Sequence, residues 1–163
     1  MRQVHPIPPL YDEFSEILVL GSFPSVKSRE QGFFYGHAQN RFWRVLAGVF
    51  GCETPETVED KRLFLLGRSI ALWDVIASCD IDGSSDGSIK NALPNDLGVI
   101  LGTCAIRQIF VNGKTAERLY IRYILPKTGR SAVCLPSTSP ANAAYSLERL
   151  TDAWQVVGES GGL

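Results

Sequence analysis

The 163-residue chain contains no apolar run near the roughly 20 residues that a membrane span requires. Its start, MRQVHPIPPLYDEF, has no continuous apolar stretch of the kind a secretory signal carries, so a cytoplasmic protein is expected. The four cysteines, Cys52, Cys79, Cys104 and Cys134, form no CxxC pair and have no histidine at ligand spacing. That argues against a zinc or iron–sulfur site and predicts reduced, mostly buried thiols. No metal and no cofactor is expected. Only two histidines occur, His5 and His37, which leaves few ways to build a Ser-His-Asp triad. His5 lies in a proline-rich arm and reads as structural or incidental. Charge of either sign is not in excess: 16 Lys and Arg stand against 17 Asp and Glu, with a net charge of −1 and a pI near 6.1. Such a balance counts against a protein that coats nucleic acid non-specifically and allows a local basic face. Lys27, Arg29, Arg41 and Arg44 form one such cluster, and Lys114, Arg118, Arg122, Lys127 and Arg130 another.

There are no internal repeats and no linker. One domain over 1–163 is expected, with 1–15 as an N-terminal arm and 155–163 as a frayed tail. Hydrophobic residues make up 45% and charged residues 20%, ordinary for a globular chain. Apolar, β-rich runs alternate with helical patterns. EILVLGSF (16–23), SIALWDVIASC (69–79), RQIFVNG (107–113) and SAVCLPS (131–137) read as strands. NRFWRVLAGVF (40–50) has helical spacing. TPETVEDKRLFLLG (54–67) reads as a helix opened by Thr54 and Pro55, PNDLGVILGTC (94–104) as a short helix, and KTAERLYIRYI (114–124) as a longer one. SPANAAYSLERLTDAW (139–154) reads as a helix with Ser139 as N-cap and Pro140 at its first position. Crossovers too long for hairpins imply a parallel sheet covered on both faces, hence a three-layer α/β/α fold around four parallel strands.

Ligands of such sheets bind outside the carboxyl ends of the strands. That selects GSFPSVKS after the first strand, DVIASCDIDG after the second and LPSTSPAN after the fourth. VNGKT (111–115) resembles the end of a phosphate loop, but Gln108 stands where its first glycine is needed, so a plain strand-to-helix turn is predicted. GSFPS is not a nucleophile elbow, since Phe23 occupies the serine position. No pair of strand-end carboxylates suggests acid–base hydrolysis of sugars. Asp74 is the one acid near the end of a central strand, with hydrogen bonding to nearby amides as its plain role. LPSTSPAN offers three hydroxyls before a predicted helix start, where free N–H groups suit a phosphate.

Taken in order, GSFPSVKS, GFFYGHAQNRFW, DVIASCDIDG, VNGKTA and LPSTSPANAAY resemble the uracil-DNA glycosylase superfamily over about residues 17–150. The likeness is strongest to its hypoxanthine-DNA (deoxyinosine) glycosylase branch, with the mismatch-specific uracil enzymes next. It implies hydrolysis of the N-glycosidic bond of a deaminated base that has been flipped out of DNA, without metal or cofactor, by a monomer. The strand-one loop has no Asp or Asn, and in the hypoxanthine branch the asparagine of the NxFW block, here Asn40, takes the catalytic role of orienting water. Ala38 follows His37 where proline is frequent, and Leu135 stands where uracil-excising enzymes carry histidine, which counts against strong uracil excision. The resemblance further implies Tyr35 as stacking platform, with Phe34 in reserve. It implies backbone amides at Ser22 and Phe23 for the exocyclic oxygen, Asp74 for a base N–H, and Ser137, Thr138, Ser139 and Asn142 for DNA phosphates. The readings left open are a uracil- or xanthine-preferring mismatch glycosylase, a non-catalytic module for damaged DNA or nucleobases, and a small-molecule hydrolase.

Overall fold

A computed structural model describes residues 2–160. Seven strands run in chain order: β1 (Arg2–Val4), β2 (Ile17–Gly21), β3 (Ile70–Asp74), β4 (Ile76–Asp80), β5 (Lys90–Pro94), β6 (Gln108–Asn112) and β7 (Val133–Leu135). The helices are α1 (Val26–Gln31), α2 (Phe42–Phe50), α3 (Val58–Leu66), α4 (Gly98–Leu101), α5 (Lys114–Tyr123), α6 (Leu125–Thr128) and α7 (Leu147–Ser160).

Four strands form a wholly parallel sheet in the order β3-β2-β6-β7, flanked by helices, as expected. All ten residues of β2 and β3 are buried, which suits continuous apolar runs covered on both faces. Register aligns the carboxyl ends: Gly21 pairs with Asp74, Leu20 with Val111, and Asn112 with Leu135. Side chains at those ends therefore converge on one edge of the sheet.

A second sheet was not predicted. It is antiparallel, in the order β1-β4-β5. The run 69–79, expected as one strand, splits at Val75. Beyond Asp74 the ladder ends, because β2 stops at Gly21. The Val75 and Ile76 N–H groups then bond to the carbonyls of Gly21 and Ser22, and the chain turns into β4. The N-terminal arm is not loose. β1 pairs with β4, His5 N–H donates to Ala77 O at 2.7 Å, and Leu10 exchanges backbone bonds with Leu72.

Three helix starts differ from expectation. Ser25 caps α1, which was not foreseen, by taking the Ser28 N–H. α3 is capped by Thr57, not Thr54: its hydroxyl accepts the Asp60 N–H at 3.0 Å, with Glu59 and Asp60 complementing the dipole in the first turn. α7 begins at Leu147 and not after Ser139. Its first turn is held by the Ser146 hydroxyl, which accepts the Arg149 N–H, and residues 139–146 form turns instead. The helix continues through Ser160, into the segment expected to fray; residues 161–163 lie outside the described part. α2 and α7 pack together, with Phe42 edge-on to Trp154 at 5.9 Å between ring centres.

Candidate functional site

A cleft of about 1000 Å³ opens at the carboxyl ends of the parallel strands. Its walls come from Gly21–Ser25, from Phe34, Tyr35, His37 and Asn40, from Asp74, and from Ser84–Gly87, Asn112–Thr115 and Cys134–Asn142. Asn40 and Ser137, about a hundred residues apart in sequence, thus face one cavity.

One wall is a chain of side-chain hydrogen bonds whose directions can be assigned without ambiguity. The Thr138 N–H donates to Asn112 Oδ1, so the Asn112 amide group is the donor end. That NH2 donates to the Thr138 hydroxyl at 3.0 Å and to the Tyr35 phenol oxygen at 3.1 Å. The Thr138 hydroxyl in turn donates to Asn40 Oδ1 at 2.9 Å. Asn40 Oδ1 also accepts the Phe42 N–H at 2.9 Å. Both lone pairs of the Asn40 oxygen are therefore used, and its NH2, without a partner among the described residues, is the end left for a ligand.

Tyr35 is held in an unusual way. Its backbone is left-handed at φ 52°, costly for a bulky residue. Phe42 stacks on one face of its ring at 4.0 Å between centres. Only the other face and the hydroxyl remain for a ligand. Burial, and next the Asp74 charge, push the phenol far above its usual range. It therefore stays protonated, with its oxygen already accepting from Asn112 and its proton free to donate.

Asp74 is buried at the floor of the cleft. Oδ2 is 2.8 Å from His5 Nε2, while Oδ1 has no hydrogen-bond partner among the described residues and is open to solvent. Gly21 makes this floor possible. A Cβ there would collide with Asp74 Oδ1 and lie 2.9 Å from the Tyr35 hydroxyl, so an acceptor and a donor border the same small space. Nearby, the N–H groups of Ser22 and Phe23 have no partner among the described residues, and Pro24 has no N–H.

The opposite wall is looser. The Ser22 hydroxyl donates to Asp86 Oδ1 at 2.9 Å. Arg29 bonds to Pro24 O and Gly83 O, and Val26 N–H bonds to the Ser84 hydroxyl, so the 83–86 loop is tied to the strand-one loop. Desolvation raises the Asp86 carboxyl above the usual range, against the bond from Ser22, which lowers it. The residue as a whole is exposed, so solvent tempers that shift.

The profile of the Uracil DNA glycosylase superfamily matches residues 8–158. A hypoxanthine DNA glycosylase of Methanosarcina acetivorans is 34% identical over 152 residues, 92% of this chain and 94% of that one. A hypoxanthine DNA glycosylase of Methanosarcina barkeri is 33% identical over 149 residues, 90% and 92% of the two chains. The solution NMR structure of a candidate uracil DNA glycosylase from Methanosarcina acetivorans superimposes with a TM-score of 0.81 at 32% identity, covering 97% of each chain.

The chain belongs to the uracil DNA glycosylase superfamily. As a DNA glycosylase it has a cleft that gathers most of the residues selected from sequence: Ser22, Phe23, Tyr35, Asn40, Asp74, Ser137, Ser139 and Asn142 all line it. Two expectations change. Thr138 is fully buried with its hydroxyl spent on Asn40, so it stands behind the asparagine and offers nothing to a phosphate. Ser139 caps no helix. Among the described residues its hydroxyl accepts only the Ala141 N–H, and the segment is shaped by Arg41, whose guanidinium donates to the carbonyls of Ser139, Asn142 and Tyr145. The anion site at a helix end is therefore absent there. Arg41 and Arg29, counted from sequence in a local basic cluster, donate to backbone carbonyls instead.

Three residues escaped the sequence reading. Asn112 closes the third parallel strand, and the strand-end rule applied to it would have found it. His5 lies 69 positions from Asp74, and nothing local signals the pairing. Asp86 sits in a glycine-serine loop that reads as plain connector. Among the described residues no three His, Cys, Asp or Glu side chains gather to hold a metal ion, and no helix is long and apolar enough to cross a membrane. The thiols are free, with Cys79 and Cys104 buried, Cys134 half-buried and Cys52 exposed.

Proposed function

We propose that this enzyme excises hypoxanthine from DNA by hydrolysing the N-glycosidic bond of a flipped deoxyinosine. The observation that carries the reading is the pair of groups beside Gly21: the open acceptor Asp74 Oδ1 and the Tyr35 hydroxyl donor. Hypoxanthine carries a ring N–H next to a carbonyl, which complements an acceptor next to a donor. Adenine carries a bare ring nitrogen next to an amino group, the reverse pattern. A buried site rejects an analogue that leaves its polar groups unpaired far more strongly than one that merely fits less well. The names of the two Methanosarcina relatives support the same base.

Base extrusion costs a few kcal/mol, less at a deaminated base that pairs poorly. The Ser22 and Phe23 N–H groups would receive the negative charge that develops on the departing base. The sugar left behind has oxocarbenium character. Asn40 holds the attacking water beneath it through its free NH2, which makes the role one of orientation and not of proton removal. Ser137, Ser139 and Asn142 edge the same cleft, and their loop is the part that meets the DNA backbone.

Uracil and xanthine present the same N–H/C=O edge, so a site reading only this edge would accept them too. Incubating single-turnover enzyme with duplexes carrying deoxyinosine, deoxyuridine or deoxyxanthosine, then cleaving abasic sites with alkali, tests the proposal. We expect strand cleavage first and fastest with deoxyinosine. Faster cleavage at uracil or xanthine would move the substrate to that base. Well-folded protein that releases none of the three would make the cleft a binding site without chemistry.

A further inference from the structure

We infer that His5 is a positioning residue for base selection, because it fixes Asp74 so that a single, purely accepting oxygen faces the cleft. This rests on the reading above that Asp74 meets the base.

The tautomer follows from the partners. The Ile7 N–H donates to His5 Nδ1 at 3.2 Å. A backbone N–H can only donate, so Nδ1 carries no proton and the ring proton sits on Nε2. Nε2–H then donates to Asp74 Oδ2 at 2.8 Å, which uses that oxygen and stops the carboxylate from turning. Both side chains are nearly sealed, at 3% and 5% exposure. The ring is walled by Phe23 and Trp73 edge-on at 5.9 and 6.4 Å and by Phe34 at 6.3 Å, so no water competes for Nε2. The backbone is fixed as well: His5 N–H is tied to Ala77 O, and Trp73 Nε1 donates to Ile7 O at 3.3 Å. The histidine is thus oriented by its own neighbours before any base enters.

The consequence is selectivity by hydrogen-bond sense. With Oδ2 occupied and rotation blocked, Oδ1 accepts from a ring N–H and faces repulsion from a ring lone pair. Hypoxanthine, xanthine and uracil have the N–H; adenine and cytosine have the lone pair. If the donor is removed, the carboxylate can turn Oδ1 away and this discrimination weakens.

The test uses the full chain with His5→Leu and His5→Gln. Glutamine keeps an Nε2–H donor of similar reach. Free hypoxanthine and free adenine are titrated by calorimetry, alongside single-turnover cleavage of a deoxyinosine duplex and binding to undamaged duplex. His5→Leu should bind hypoxanthine roughly 10- to 100-fold more weakly, the range for loss of a hydrogen bond to a charged group. It should lose the preference over adenine and bind undamaged duplex unchanged, while His5→Gln recovers most of both losses. In wild-type protein, 15N shifts of the imidazole should report a protonated Nε2 and a bare Nδ1.

A folded His5→Leu with unchanged preference overturns the inference. So does His5→Gln no better than His5→Leu, or a proton on Nδ1. If His5→Leu fails to fold, His5→Gln and the wild-type spectrum still decide. Wild-type protein that releases no deaminated base would sink the enzymatic proposal alone, since base titration and the imidazole spectrum judge His5 without turnover.

Discussion

The two sheets supply the cleft by different routes. β2 and β3 are buried along their whole length, whereas β4 mixes buried and half-buried positions and β1 and β5 mix exposed and half-buried ones. The parallel sheet ends its strands at the cleft and so delivers Asp74, whose Oδ1 faces a ligand, and Asn112, which holds Tyr35 and Thr138 in place. The antiparallel sheet delivers groups that act on Asp74 and on the strand-one loop. His5 follows β1 and reaches Asp74; Asp86 lies between β4 and β5 and reaches Ser22. The parallel sheet carries most of the apolar core, to which β4 adds Ile76 and Cys79, and the antiparallel sheet carries adjustments to the polar site. Substitutions in the two should therefore separate stability from selectivity.

The largest effect is expected in the parallel core. Leu18 is fully buried in β2, and Leu18→Ala should cost about 2–5 kcal/mol of stability through lost burial and a residual cavity. Leu93 in β5 is 58% exposed, and Leu93→Ala should change stability by no more than about 0.5 kcal/mol. Denaturant melts of the two compare the sheets directly. A loss at Leu93 equal to that at Leu18 would mean that β5 too is part of the stabilising core.

Asn40→Ala comes next and concerns rate. Positioning losses of this kind reach about 100-fold, and single-turnover cleavage of a deoxyinosine duplex should fall by that order or more. Stability should drop by only about 1 kcal/mol, because Asn40 also serves as the acceptor for the Phe42 N–H at the start of α2. A variant that melts lower yet cleaves normally would reduce Asn40 to a cap.

Gly21→Ala follows. The added methyl would strike Asp74 Oδ1 and press the Tyr35 hydroxyl, an overpacking cost of about 1–3 kcal/mol together with weakened base binding. Gly87, beside Asp86, has open space around its Cβ position and no left-handed backbone. Gly87→Ala is therefore the matched control on the antiparallel side and should be neutral in thermal melts and hypoxanthine titration. Equal effects at the two glycines would erase the distinction between the floor of the cleft and its outer wall.

The parallel sheet was legible because apolar runs such as EILVLG and IALWD announce strands buried on both faces, and because strand-end geometry then selects the site. Tyr35, Asn40 and Asp74 came from that logic together with the family likeness. The antiparallel sheet was hidden. Its strands are short and half-exposed, so neither alternation nor a continuous run marks them, and β4 reads as the tail of β3. The turn at 139–146 was misread for a related reason. Ser139 and Pro140 satisfy every local rule for a helix start, but Arg41 supplies donors to the carbonyls of Ser139, Asn142 and Tyr145, and a distant side chain outweighed the local preference. His5 was out of reach because the pairing depends on the arm folding across β3 and β4.

The smallest effect belongs to Asp86, and it tests whether the antiparallel side tunes or acts. Desolvation raises its carboxyl above the ordinary 3.8 in the folded protein. A group that holds its proton more tightly when folded lowers stability while it is ionised. That cost is fully present above the raised folded value, shrinks as pH falls through it, and is gone below the ordinary value. Asp86→Asn removes it. The variant should be more stable than the parent at neutral pH, and the difference should vanish in acid. Exposure of the residue keeps the gain within about 0.5 kcal/mol. The raised value already sets desolvation against the Ser22 bond; the Asn oxygen still accepts from Ser22, now as a neutral partner, so cleavage should fall by no more than about fivefold as the strand-one loop loosens. Melts from neutral to acid pH, paired with single-turnover assays, read both quantities. A rate loss as deep as that of Asn40→Ala would make Asp86 a participant in water attack and end the division of labour between the two sheets.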